Sequence, residues 1–246
     1  MNSQVTERPR SNAAFLFWML LCAVAFCGFV ALGTWQVKRL AWKLDLIERV
    51  NQRVNAAPIA PPARAQWASV GINDEYTHVC VSGEYRHDRE TYVQAVTVRG
   101  PGDWVLTPLQ SADGTVTLIN RGFVTAEQKS PTSRDKAQVA GVVKVCGLLR
   151  LTEPSGGFLR RNDPAQARWF SRDVVAIAAT QYLPMQNVAP YFIDADAAAN
   201  PGGVPLGGLT VVRFHNSHLV YALTWYGLAL LTLVGAVIVI RHRRRV

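Results

Sequence analysis

Two long apolar stretches lie near the ends of the chain, and a more polar region separates them. Residues 13–35 and residues 219–240 contain no charged side chain. At a rise of about 1.5 Å per residue, a helix of either length crosses the roughly 30 Å hydrocarbon core of a bilayer. The pattern therefore predicts two transmembrane helices.

A cleaved signal peptide is the alternative interpretation of the first stretch. Ala23-Val24-Ala25 resembles a cleavage site, but the apolar run continues to Leu32, beyond the usual length of a signal core. The bulky Phe26 before Cys27 also argues against a lipoprotein site. We therefore expect a retained membrane helix.

Small residues recur along one face of each stretch. They are Ala23, Cys27 and Ala31 in the first stretch, and Ala222, Ala229 and Ala236 in the second. Such stripes allow close approach of helix backbones in a membrane, so we expect the two helices to pack together. Alanines that simply face lipid are the alternative.

The distribution of charge predicts the orientation. The chain of 246 residues has a formal net charge of +9. A basic cluster at residues 241–245 follows the second stretch, and the positive-inside rule puts such a cluster in the cytoplasm. Two spans then put both termini in the cytoplasm and the intervening domain in the periplasm of a bacterium, with the protein in the inner membrane.

The region after the first stretch begins as a helix and ends at prolines. Leu40, Leu44, Ile47 and Val50 keep helical spacing among charged residues, which predicts an amphipathic extension. The Ala-Pro tract at residues 56–63 ends it. The expected domains are a cytoplasmic N-terminus (1–12), a first transmembrane helix (13–35), an amphipathic helix with a Pro-rich arm (36–63), an extracytoplasmic domain (64–217), a second transmembrane helix (218–240) and a basic cytoplasmic tail (241–246).

From His78 onward the apolar positions alternate with a period of two, which is typical of strands. A helix is expected near residues 169–179, and turns at residues 100–103 and 111–114. The pattern predicts an α+β membrane protein in which two transmembrane helices flank one mainly antiparallel β-sheet domain. The predicted strands lie at residues 79–81, 91–96, 104–106, 115–119, 139–151 and 191–194.

Few side chains of the central region suggest a reactive site. Cys80 and Cys146 could form a disulfide in an oxidising compartment or remain two buried thiols. His78 and Cys80 could share a strand face and bind a soft metal, but no third ligand is evident. The sequence lacks nucleotide-binding, hydrolase and nucleic-acid-binding motifs, so we expect neither an enzyme nor a nucleic-acid partner.

The carboxylates of the central region are scattered. Glu84, Asp88 and Glu90 alternate with Arg86 and Arg89, as at a solvated hairpin edge. Asp194 ends the predicted strand at residues 191–194, and Asp196 would point to the same side if the chain continued extended; a turn or a helix cap is the expected role of both. Neither group has the arrangement of a paired-carboxylate active site.

His218 is the stronger candidate, because it lies where the second apolar stretch begins. On a helix it shares one side with Tyr221, Ala222 and Trp225. A haem needs an axial nitrogen ligand, a flat apolar wall and cations for its propionates. His218 would supply the ligand, the face of Ala222 and Trp225 the wall, and Arg213, Lys38 or Arg39 the cations. A histidine held at the headgroup level beside an aromatic belt is the alternative.

Several segments, in order along nearly the whole chain, resemble the Surfeit locus protein 1 family. The match includes Gly33-Thr34-Trp35-Gln36 at the end of the first stretch and Asn216-Ser217-His218 at the start of the second. The other matching segments lie at residues 83–85, 90–93, 120–124, 169–173, 193–196 and 207–210, and the last continues to Tyr226.

The resemblance implies an assembly factor for cytochrome c oxidase rather than an enzyme. It implies haem a as transient cargo, His218 as the candidate iron ligand, and two protein partners, the catalytic oxidase subunit and haem a synthase. A bacterial member is expected. The alternative is a scaffold that brings these partners together and binds no haem itself.

Overall fold

The computed structural model describes residues 12–157, 159–198, 200–210 and 216–245. These residues form two compact units. One unit consists of the first helix as far as Glu48 together with the last helix, and the other is the segment Arg49–Val212.

The first unit is a pair of long helices. Helix α1 comprises Asn12–Asn55 and the last helix, α3, comprises His218–Arg245. Both are long and apolar enough to cross a membrane. Of the residues in the most apolar 18-residue segment of each helix, 0% in α1 and 6% in α3 are buried. This fits a membrane protein. The predicted amphipathic extension continues α1, which ends at Asn55 immediately before the Ala-Pro tract.

The two helices run antiparallel and contact each other through aromatic rings. The ring centroids of Phe29 and Trp225 are 5.8 Å apart and the rings are stacked. Near the other end of the pair, the Arg243 guanidinium lies 4.1 Å from the centroid of the Phe15 ring. Together these contacts bring the start of α1 to the end of α3.

The predicted packing of small residues is correct for α3 and wrong for α1. Ala222 and Ala229 are buried and Ala236 is half-buried, whereas Ala23, Cys27 and Ala31 are exposed. The reason is that α1 meets α3 with a different face, one that contains Phe29 and Gly33.

Gly33 is the point of closest approach. A Cβ built on Gly33 would lie 2.8 Å from Cε1 of Tyr226, so only a glycine lets that ring lie against α1. The Tyr226 hydroxyl and the Thr34 hydroxyl are 3.2 Å apart and form a hydrogen bond.

The second unit is a β-rich domain. Short 3₁₀ turns and one helix, α2 (Val174–Thr180), connect its strands. The strands are β1 (His78–Tyr85), β2 (Thr91–Thr97), β3 (Gly100–Gln110), β4 (Val116–Val124), β5 (Val142–Leu151), β6 (Gly156–Gly157), β7 (Arg160–Arg161) and β8 (Val188–Ala195).

Five of the strands close into a ring. The main sheet has the order β1-β5-β8-β4-β3-β2, and β1 also pairs with β3 at Glu84 and Tyr85. The sheet is therefore barrel-like, with β2 attached outside the ring along the first half of β3. β4 and β8 are parallel, and the other pairings of the main sheet are antiparallel. The prediction of a mainly antiparallel sheet is confirmed.

Apolar side chains pack on both sides of this sheet. Every residue of β4 is buried, including the polar Thr117, Asn120 and Arg121. One cluster has α2 packed over the sheet, and the other contains side chains of β1, β3, β4, β5 and β8. The first comprises Val93, Leu106, Val116, Leu118, Trp169, Val174, Ile177, Ala178, Val188 and Phe192. The second comprises Val79, Val81, Leu109, Ile119, Leu149, Ala189, Tyr191 and Ile193.

One predicted turn and one predicted helix lie at other residues in the structure. Residues 100–103 belong to β3, and the turn lies at Val98 and Arg99 instead. The predicted helix at residues 169–179 begins only at Val174, because the Asp173 carboxylate accepts a hydrogen bond from the Ala176 amide and caps it there. Trp169 pairs as an isolated bridge with Val93 of β2.

The prediction of a solvated edge is confirmed for the exposed Glu84 and Asp88 but is wrong for Glu90. Its side chain is 3% exposed and forms ion pairs with Arg121 and Arg134, which are 1% and 0% exposed. Burial, the largest single influence, raises the pKa of Glu90, but His87, Arg134 and Arg121 outweigh it and lower the pKa to about 2. The two arginines supply the compensation that an isolated buried carboxylate lacks.

Asp194 is likewise buried within a network rather than placed in a turn. Its carboxylate accepts hydrogen bonds from Arg150 at 3.0 Å, from Arg172 at 3.1 Å and from Asn120 at 2.7 Å. These contacts join β4, β5 and β8 to the start of α2. Asp196, just beyond β8, pairs with His78 at 2.8 Å.

Cys80 and Cys146 form a disulfide. The two residues lie directly opposite each other in the antiparallel pair of β1 and β5. The bond therefore joins the two neighbouring strands across the middle of their pairing.

Replacing Glu90 tests the buried ion cluster. Glu90→Gln leaves two buried guanidinium groups without their carboxylate, and we expect a loss of about 3–5 kcal/mol of unfolding free energy at neutral pH. The Glu90 pKa is lowered from 4.5 to about 2, so its contribution is present above pH 4.5 and is lost as the pH falls towards 2. Denaturant unfolding of the full-length protein across this pH range measures both effects. Asp88→Asn, at an exposed neighbouring carboxylate, is the control and should change stability little.

Replacing Gly33 tests the helix pair. Gly33→Ala should push the Tyr226 ring away, break its hydrogen bond with Thr34 and cost about 1–3 kcal/mol. Gly28→Ala is the matched control, because nothing lies within 4 Å of a Cβ at that position. The melting temperature of the detergent-solubilised protein should fall only for Gly33→Ala, and equal values for the two variants would contradict the packing.

Candidate functional site

His218 is the first residue of α3. The side-chain oxygen of Asn216 accepts a hydrogen bond from the His218 amide at 3.3 Å, and the Ser217 carbonyl accepts one from the Tyr221 amide at 3.1 Å. These polar residues satisfy backbone groups that the first helical turn leaves unpaired. The short Asn-Ser segment thus fixes where the helix begins and where the imidazole lies.

The imidazole of His218 is held by Gln36 of α1. Nδ1 of His218 lies 2.7 Å from Oε1 of Gln36, and Gln36 is only 9% exposed. Since an amide oxygen can only accept, Nδ1 donates this hydrogen bond, and in a neutral imidazole Nε2 then has the lone pair. No hydrogen bond to Nε2 is found among the residues that the structure describes.

This arrangement suits a metal ligand. Histidines that bind metals usually donate the other ring N–H to an oxygen, which fixes the tautomer and the direction of the ring. Here Gln36 performs that function, and Nε2 is the nitrogen that could reach a metal such as haem iron. The ring is partly exposed, so it is accessible from outside the helix pair.

The remaining predicted residues of this helix face in two directions. Ala222 is 2% exposed, and Trp225 is half-buried and stacked on Phe29 of α1. Tyr221 is 52% exposed and lies on the outer side of α3. The apolar surface near His218 is therefore built by both helices, from the stacked pair of Trp225 and Phe29.

The candidate cations are only partly accounted for. Lys38 and Arg39 are exposed on α1 within three residues of Gln36, and the Arg39 guanidinium lies 4.7 Å from the centroid of the Trp42 ring. Arg213 lies outside the residues that the structure describes.

Gln36 is the residue that the sequence reasoning missed. A usable signal was present, because Gln36 is an uncharged polar residue directly after an apolar stretch of membrane length. Polar groups at such positions are functional candidates by default. Its partner, 182 residues away, could not be read from local spacing.

The metal site considered at His78 and Cys80 is absent from the structure as described. Cys80 is consumed by the disulfide, so it offers no thiolate. Both ring nitrogens of His78 are engaged, one by Asp196 and one by the Ala56 carbonyl. Within the described ranges, no group of three or more His, Cys, Asp or Glu side chains is arranged to hold a metal ion.

Comparison with known proteins gives a consistent result across the chain. The SURF1 family model matches residues 23–230, which include Gln36 and His218. Surfeit locus protein 1 of Mus musculus is 39% identical over 248 residues, covering 94% of this chain and 77% of that protein. The Homo sapiens protein of the same name is 37% identical, with coverage of 94% and 79%.

A third relative is similar over most of the chain. The SURF1-like protein of Monosiga brevicollis is 37% identical over 232 residues and covers 89% of this chain and 85% of that protein. The similarity therefore includes both apolar helices and the β-domain between them. The chain belongs to the SURF1 family.

Proposed function

We propose that the protein is an assembly factor for cytochrome c oxidase, which binds haem a and hands it over to the catalytic subunit. In this proposal the protein is not an enzyme, and haem a synthase is the donor. Both helices cross the cell inner membrane, both termini are cytoplasmic and the β-domain is periplasmic. Membership of the SURF1 family supports the assembly function, and the geometry at His218 supports the haem.

The hydrogen bond between His218 and Gln36 is the observation on which haem binding depends. It leaves Nε2 with a lone pair and gives the imidazole a fixed direction at the end of a long apolar helix. A histidine that served only as an interfacial side chain would not need a buried partner to fix its tautomer.

The surroundings of His218 suit a haem with a long hydrocarbon tail. The stacked rings of Phe29 and Trp225 provide an apolar surface, and the exposed Lys38 and Arg39 could pair with propionates. The hydrocarbon tail can remain in lipid, since the exposed side chains that follow His218 are apolar.

A carrier must also release its cargo. His218 is the one candidate iron ligand near this end of the helix pair among the described residues, so a water or a side chain of a partner would complete the axial coordination. Ligation by one protein side chain favours exchange over permanent retention.

A scaffold that binds no haem is the second candidate function. The observation that favours it is the packing of Ala222 and Trp225 against α1, which uses part of the helix face expected to meet the porphyrin. On this account the bond between His218 and Gln36 simply joins the helices. A scaffold should purify colourless from cells with or without haem a synthesis, whereas a carrier is coloured only when haem a is made.

His218→Ala tests the iron ligand. We expect the purified full-length variant to lose the haem absorbance of the wild type, because the axial nitrogen is gone. Gln36→Leu should weaken haem binding about 10- to 100-fold, since the imidazole loses the partner that orients it. Optical spectra of proteins purified from cells that make haem a measure both effects.

His242→Ala is the matched control, because His242 lies at the opposite end of α3 and is exposed. Its haem content should equal that of the wild type. Far-ultraviolet circular dichroism checks that all variants remain folded. Unchanged haem content in a folded His218→Ala variant would remove His218 from the site.

A further inference from the structure

The most exposed aliphatic side chains of the described β-domain lie at the ends of two hairpins. Val96 and Val98 are 86% and 88% exposed at the end of the β2–β3 hairpin, and Leu159 is 89% exposed at the β6–β7 hairpin. Among the other aliphatic side chains of the described β-domain, the most exposed is Val142, at 73%. Exposed apolar side chains that come together on one face of a domain indicate an interaction site.

The two hairpins are neighbours. Arg160 of β7 donates a hydrogen bond from Nη1 to Oε1 of Gln94 in β2 at 3.4 Å. A cavity of about 400 Å³ is lined by both hairpins, with Val96 on one side and Gly157 and Arg160 on the other. Val96 and Arg160 therefore line one cavity, and the ends of the two hairpins lie side by side.

Basic side chains accompany the apolar ones. Arg99 follows Val98, and Arg160 and Arg161 follow Leu159, and all three arginines are exposed. None of them forms an ion pair with a described residue, whereas the nearby Lys129 and Arg168 are paired with Asp103 and Asp163. We call Val96, Val98, Arg99, Leu159, Arg160 and Arg161 the tip surface.

We propose that the tip surface binds the headgroup region of a bilayer that contains anionic lipids. Apolar side chains flanked by arginines are suited to that region, where the apolar groups enter the acyl boundary and guanidinium groups stay with phosphates. The chemistry differs from that at His218 and adds a second attachment to the function proposed above.

Two further observations favour lipid over a protein partner. The tip surface offers three separate aliphatic side chains at turns, while a stable protein interface buries about 800 Å² on each partner. The β-domain is also covalently joined at both ends to helices long enough to span a membrane, so a bilayer is present at a high effective concentration.

A fluorescent label on Val98 tests the proposal in the full-length protein. The Val98→Cys variant, with Cys22→Ser and Cys27→Ser, is labelled with nitrobenzoxadiazole and placed in nanodiscs of phosphatidylcholine with or without phosphatidylglycerol. We expect emission shifted to the blue and quenched by spin-labelled lipid in the anionic discs. Arg160→Gln and Arg161→Gln should each weaken this state about fivefold, because each removes one phosphate-binding cation.

Val142→Cys in the same background is the matched control, because Val142 is also exposed but lies opposite Glu84 in β1 rather than beside the three arginines of the tip surface. Its label should report water in both kinds of disc. Equal emission and equal quenching at positions 98 and 142 would overturn the proposal, as would a shift at position 98 that requires an added soluble protein.

Trypsin provides a second measurement without substitution. Cleavage after Arg99, Arg160 and Arg161 should slow in anionic discs, while cleavage after the exposed Lys144 should not change. Equal cleavage at all four positions in both lipids contradicts the proposal.

The label at position 98 should behave the same in a His218→Ala background, so a failure of haem binding is distinguishable from a failure of lipid binding.

Discussion

The hydrogen bond from His218 to Gln36 depends on the close approach of two apolar helices that are separated by the whole β-domain in sequence. The glycine at position 33 permits this approach, because the Tyr226 ring occupies the space of a side chain there. Three residues further along α1, Gln36 then reaches the first residue of α3. The local Asn216-Ser217 segment fixes where the imidazole lies, and helix packing fixes the direction of its ring.

The arrangement of strands in the β-domain depends on buried ion pairs and hydrogen bonds between charged side chains. The Glu90 cluster connects the residue that precedes β2 with β4 and with the 3₁₀ turn Pro131–Ala137, and the Asp194 network connects β4, β5 and β8. A shifted strand register would separate these partners and leave a charge buried without compensation, which is costly. The charges therefore favour one arrangement of the sheet over its alternatives, in addition to the apolar packing.

Much of the fold followed from periodicity, and the rest required knowledge of tertiary partners. The two apolar helices and the six strands of the main sheet were predictable because their patterns are local. Ring closure between β1 and β3 was not predictable, nor was the burial of Glu90, whose neighbouring arginines suggested a solvated edge. His218 was singled out from its position, but Gln36 was not, since the contact joins residues far apart in sequence.

The position of β8 has a consequence for the order of folding. This strand is the last of the sheet in sequence, yet it lies between β4 and β5 at the centre. Until residues 188–195 have been synthesised, β5 and β4 each present an unpaired edge that could join another chain. A nascent domain of this topology stays vulnerable to misassembly until its synthesis is almost complete, so covering these two edges during synthesis would protect it.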